Sequence, residues 1–188
     1  MSGNRPIVVG PHPTREERIG LVEPAEYWLD FEPGYGDFAA AEENTAGYYV
    51  RRFPSNTPPS CQAGQVAATQ ILAPLRYPWP VGRTELMLEI TRIELLYKRN
   101  GASDALDFVV RRRDRSTGVS FAVGAWDEAT HFTTTGLFTK YSETLSTPIP
   151  LDYANYSYGL GATLSPNSSV AHVDLGLIRL KIRAYALA

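Results

Sequence analysis

The sequence predicts an all-β chain: an antiparallel β-sandwich of jelly-roll type with an extended proline-rich N-terminal arm. Three observations carry that expectation. Residues 170–187 alternate almost without fault, Ile178, Leu180, Ile182 and Ala184 on one side and Arg179, Lys181, Arg183 and Tyr185 on the other. That is the period of a strand with one buried and one wet face. Similar segments recur at short intervals from residue 84 onward, separated by Gly, Pro, Asn or Ser, as in sandwiches. Finally, 11 Tyr, 7 Phe and 3 Trp beside 15 Gly and 14 Pro suit a turn-rich β protein with aromatics in its core or interfaces.

Taken in order, residues 1–82 hold most of the prolines, with Pro54, Pro58, Pro59, Pro74, Pro78 and Pro80 clustered. Proline removes an amide donor and restrains its predecessor to extended conformations. This half is therefore expected to be arm and loop with a few short strands, and residues 83–188 the sandwich domain. Thr14 and Glu17, after Pro13, fit a capping box and predict a short helix over Thr14–Leu21. Tyr48–Phe53 and Gln65–Leu75, bounded by Gly or Pro, read as strands.

Thr84–Tyr97 places Leu86, Leu88 and Ile90 in one phase and Ile93, Leu95 and Tyr97 in the other, which a β-bulge near Thr91–Arg92 produces. Leu86, Ile90, Ile93 and Tyr97 also match helical spacing; strand is preferred because the neighbouring segments are strands. Asn100-Gly101 signals a reversal. Ala105–Arg113 alternates Leu106, Phe108 and Val110 against Asp107, Val109 and Arg111, and Val119–Ala125 sets Val119, Phe121 and Val123 together. Thr139–Ile149, Tyr153–Leu164 and Val170–Leu187 complete the strands, the last two joined by the polar turn Ser165–Ser169.

Composition narrows the function classes. At 188 residues the chain fits one domain, or one domain with an arm. A net charge of −2 with 20% charged residues suggests neither a nucleic-acid coat nor an acidic tail. Cys61 is alone, so no intrachain disulfide or cysteine-based zinc site forms. The apolar run Ile7-Val8-Val9 is far short of a signal sequence, and no stretch approaches the ~20 apolar residues of a membrane helix. Synthesis in a cytoplasm is expected, and the glycosylation patterns at Asn155 and Asn167 read as chance matches.

The order of features in residues 66–187 resembles a β-sandwich of bacteriophage structural proteins such as fibres, spikes and decoration proteins. A proline-bounded lead-in, Leu75–Gly82, precedes a long alternating strand, Glu85–Tyr97. A charged hairpin leads to the step Phe108-Val-Val-Arg111, followed later by the Tyr-rich Tyr156–Leu164 and a closing strand, Leu177–Tyr185. The resemblance implies a virion protein made in a bacterial cytoplasm, a homotrimer that contacts capsid or tail proteins through subunit surfaces. Residues 1–65 fall outside the match and would then be a docking arm or further strands.

The candidate chemistry is sparse. Asp127, Glu128 and His131 bring two carboxylates near an imidazole, for a cation or acid–base work. Their spacing fits no standard metal motif, and they read as a polar loop between strands. Arg111–Arg115 carries four arginines and Asp114; it reads as a solvated hairpin end in preference to a phosphate site. No G-x-S-x-G turn, P-loop or dinucleotide fingerprint occurs, and His12, His131 and His172 have no evident Ser and Asp partners. No catalytic residue, metal ligand or cofactor is assigned.

Trp28, Trp79, Trp126, Tyr153, Tyr156 and Tyr158 are the candidates for subunit packing or for stacking on sugar rings. Arg179, Lys181 and Arg183 are candidate interface charges. The expectation is a non-enzymatic structural protein of a virion; the alternative is a carbohydrate- or receptor-binding β-sandwich, with a host glycan as partner.

Overall fold

The computed structural model describes residues 25–32, 39–40, 49–53, 60–64, 69–75, 86–134, 136–167 and 172–186. In chain order these form β1 (Ala25–Phe31), β2 (Ala39–Ala40), β3 (Tyr49–Phe53), β4 (Ser60–Gly64), β5 (Thr69–Leu75), β6 (Leu86–Arg99), β7 (Ala105–Asp114), β8 (Ser120–Trp126), β9 (Thr139–Leu151), β10 (Tyr156–Ser165) and β11 (His172–Ala186). No helix occurs among the described residues. The helix expected at Thr14–Leu21 lies outside them.

A strand with one apolar face must lay that face against another, and the alternating segments do so in two antiparallel sheets. The first runs β3-β4-β11-β6-β9, with β1 also paired to β11, and the second runs β2-β5-β10-β7-β8. Strands β4-β11-β6-β9 facing β5-β10-β7-β8 make the jelly roll: the chain passes back and forth between sheets so that late strands slot between early ones. Both sheets include strands from either side of residue 83. Leu88, Ile90, Ile93, Leu95, Ile178, Leu180 and Ile182 of the first sheet and Leu106, Phe108, Val110, Leu160 and Leu164 of the second share one buried core.

The phase change in β6 is a bulge, as the spacing predicts. Pairing with β9 shifts register between Ile90 and Arg92, and Thr91 Oγ1 donates to Lys181 O at 3.3 Å. The extra residue lets Ile90 and Ile93 both face inward, and the helical reading of this segment falls away. Strand β1 was not legible as a strand amid the prolines. Its Tyr27, Leu29 and Phe31 lie opposite Ile182, Leu180 and Ile178 and pack partly on the core.

Strand β8 departs from simple alternation. A bulge at Val123 shifts its register on β7 between Val110 and Arg111, handing the inward phase to Gly124 and Trp126. Val119, Phe121 and Val123 therefore do not form a single core row; Phe121 lies opposite Arg112 instead. A Cβ on Gly124 would meet the Trp126 ring at 2.5 Å and Ile149 Cδ1 at 2.8 Å. Glycine here makes room for the indole to lie over the backbone.

Candidate functional site

The two outer faces are poor platforms for stacking. On the first sheet, Trp28 is half-buried, and the Arg179 guanidinium over its ring, 4.6 Å from the centroid, is already committed to Asp30. Arg179, Lys181 and Arg183 do project outward there, but each is paired within the chain. Arg179 Nε meets Asp30 Oδ1 at 2.9 Å, Lys181 Nζ meets Glu26 Oε2 at 2.5 Å, and Arg183 meets Glu89. The outer face of β10 carries Ser157, Gly159, Gly161 and Thr163, too small to present a ring.

Trp126 is a core residue, only 5% exposed, tilted against Phe108 at 5.7 Å. Its Nε1 donates to Glu143 Oε2 at 2.6 Å, and Tyr141 Oη donates to the same oxygen at 2.5 Å. Burial, then the Glu143 carboxylate, pushes the Tyr141 phenol well above its ordinary value. This polar knot ties the edge strands β8 and β9 together across the sandwich. Trp79 lies outside the described residues.

The remaining three candidates meet at one end of the second sheet. Tyr158 is 5% exposed; its Oη accepts from Asp152 N at 2.8 Å, and its ring meets Tyr153 edge-on at 5.1 Å. Tyr153 Oη donates to Leu75 O at 3.2 Å. These two tyrosines are thus held as a base. Tyr156 stands above them, 6.4 Å from Tyr158 and half-buried.

Between Tyr156 and Phe121 sits Arg112, which the sequence reading did not single out from its run of arginines. It occupies the middle strand β7, directly opposite Tyr158 on β10 and Phe121 on β8. Its Cζ lies 4.6 Å from the Tyr156 ring and 5.9 Å from that of Phe121, which is 50% exposed. Contacts of this kind are worth about 0.5–2 kcal/mol each, more as water is excluded. Arg112 Nε is shielded from solvent and has no hydrogen-bond partner among the described residues.

Two capped turns hold this end. Asp114 Oδ1 accepts from Ser116 N at 2.8 Å, Ser116 Oγ at 2.6 Å and Thr117 N at 2.8 Å. These bonds hold its carboxyl at about 2. Gly118, at φ 73°, closes the hairpin. Asp152 Oδ1 accepts from Ala154 N at 3.0 Å, and Arg115 N donates to Asn155 O at 3.1 Å, linking the two turns. The rings and the guanidinium are therefore set on a pre-ordered frame, with little left to order on binding. The signal that could have found it was the break in alternation at Val123, which places Phe121 beside Arg112.

Asp127, Glu128 and His131 form the polar turn the sequence suggested. Asp127 Oδ1 accepts from Thr130 N at 2.9 Å, and Asp127 N donates to His131 Nδ1 at 3.2 Å. Burial, and then the hydrogen-bonded Glu128 carboxyl, raises the Asp107 carboxyl. No group of three or more His, Cys, Asp or Glu suited to a metal ion occurs among the described residues.

No family model matches the sequence, and no curated protein matches it. Several solved structures align with it. A family 11 carbohydrate-binding module from Clostridium thermocellum, in complex with a β-1,3-1,4-mixed-linked tetrasaccharide, aligns with TM-score 0.50 and 13% identity, covering 82% of this chain and 94% of that one. The xylan-binding module CBM15 aligns with TM-score 0.49 and 5% identity over 87% and 100%. A family two carbohydrate esterase from Cellvibrio japonicus aligns with TM-score 0.36 and 8% identity over 84% of this chain, which spans only 34% of the esterase. The likeness to the family 11 module, at 13% identity, is one of fold alone.

Proposed function

We infer that this chain is a non-catalytic carbohydrate-binding β-sandwich, with its sugar site at the Phe121–Arg112–Tyr156 end of the second sheet. The observation that carries this reading is the pair of aromatic rings flanking a guanidinium that has no hydrogen-bond or ion-pair partner among the described residues. An aromatic face offers apolar area to the C–H face of a sugar ring, and a guanidinium offers directional donors to sugar oxygens. The fold shared with the family 11 module supports the reading without fixing the site. The self-association and virion partners expected from the sequence rest on the phage resemblance alone.

Affinity electrophoresis in gels containing soluble polysaccharides tests this. Phe121→Ala is the cleaner variant, because that ring is half exposed and carries little of the core. It should weaken binding by about tenfold or more, the loss of ~1.4 kcal/mol or more, with an unchanged unfolding temperature. Retardation that survives both Phe121→Ala and Tyr156→Ala would place binding elsewhere.

A further inference from the structure

We propose that the site takes an acidic glycan, with Arg112 receiving the carboxylate of a uronic-acid unit whose ring stacks on Phe121 or Tyr156. This rests on the carbohydrate reading and adds the ligand class.

Most other described sheet arginines are paired within the chain, as Arg113 Nε is with Gly118 O at 3.1 Å, and Arg111 lies exposed on the outer face. Arg92 meets Glu94 at 3.0 Å, Arg179 meets Asp30 and Arg183 meets Glu89. Arg99, which is buried, gives its donors to the carbonyls of Asp104, Ala102 and Phe132. Arg112 has aromatic faces on both sides and no carboxylate or carbonyl partner among the described residues. Only Nε of this guanidinium is shielded and unpaired; the edge a ligand can meet is that of Nη1 and Nη2, to which a carboxylate fits through two parallel bonds.

The surroundings favour an anion. Residues 111–115 carry four arginines against one aspartate, and Asp114 is committed to its own turn by three hydrogen bonds. Arg111 and Arg113 are exposed on the opposite face of β7 and lend this end only a diffuse positive field. The chain as a whole carries −2, so an anion is to be held by the local guanidinium and not by a general positive field. A uronic-acid polymer has one charge per sugar and an apolar ring face beside it, matching one guanidinium between two rings.

The test compares homogalacturonan in its de-esterified and methyl-esterified forms, with neutral xylan and a single-stranded oligonucleotide as further ligands, by titration calorimetry on the full chain at low salt. The de-esterified polymer should bind about tenfold or more tightly than the esterified one, and the advantage should shrink as salt rises. Arg112→Gln should abolish the difference, while Arg112→Lys, which keeps the charge but not the fork, should retain only part of it. Equal binding of the two forms by the unaltered chain overturns the proposal and needs no variant to fold. So does tighter binding of the oligonucleotide, which would mark a general polyanion surface. Binding of neutral xylan alone overturns the acidic class and leaves the carbohydrate reading standing; binding of no glycan removes both.

Discussion

Gly124 shows how much one missing side chain can decide. The Trp126 ring and Ile149 Cδ1 fill the space that a Cβ would take, at 2.5 and 2.8 Å. Gly124→Ala should therefore cost about 1–3 kcal/mol through overpacking, read as a lower urea midpoint with an unchanged slope. Trp126 itself was a stacking candidate by its chemistry, and its burial assigns it to the core. Trp126→Phe removes the donor to Glu143 and should cost about 1–3 kcal/mol, while glycan affinity stays as it was. A variant that lost glycan binding without losing stability would return Trp126 to the site. Phe121, unremarkable in the sequence, is the opposite case: a half-exposed ring beside a guanidinium unpaired among the described residues.

At the scale of elements, β11 is the spine of the first sheet. It pairs with β6 along one side and with β4 and β1 along the other. Its inward Ile178, Leu180 and Ile182 are fully buried, each worth about 1.5–3 kcal/mol of burial. Its outward cations need acids on the neighbouring strands: Glu94 of β6 lies 3.7 Å from Arg179, and also 2.7 Å from Lys140 of β9 and 3.0 Å from Arg92 of its own strand. Burial pushes the Glu94 carboxyl up, but the Lys140 hydrogen bond and charge, with Arg92 and Ser142, outweigh it and hold the group below its ordinary 4.5. A depressed carboxylate pKa stabilises the fold above the unfolded value, and that contribution is lost as the pH falls through the folded value. Glu94→Gln should thus lower stability at pH 7 by on the order of 1 kcal/mol. It should also flatten the decline of the unfolding temperature below pH 4.5. An acid limb as steep as that of the unaltered chain would assign this pH dependence to other carboxylates.

For the whole molecule, stability should be highest where strands have neighbours on both sides. Hydrogen exchange is expected to be slowest in β11, β6, β10 and β7 and fastest at the edges β8 and β9; uniform protection across the sheets would contradict this. How much of this was readable in the sequence varies with the locality of the signal. The long strands, the bulge at Thr91, the reversal at Asn100-Gly101 and the polar turn at Asp127–His131 are all written in side-chain period or turn chemistry, which depend on neighbours in sequence. So the sequence alone determined a two-layer β fold and the inward row of its closing strand. The alternation of Tyr27, Leu29 and Phe31 in β1 is isolated among prolines and gains meaning only because β11 offers an edge to β1 and β4. The candidate site is further still from local signal. Arg112, Phe121 and Tyr156 come from three strands; Arg112 continues the inward row of Leu106, Phe108 and Val110, but which rings flank it is set by the bulge at Val123 and by the register of β10 on β7. Only the tertiary structure decides that, because facing is a property of pairing and charge pairing a property of what lies across the sheet.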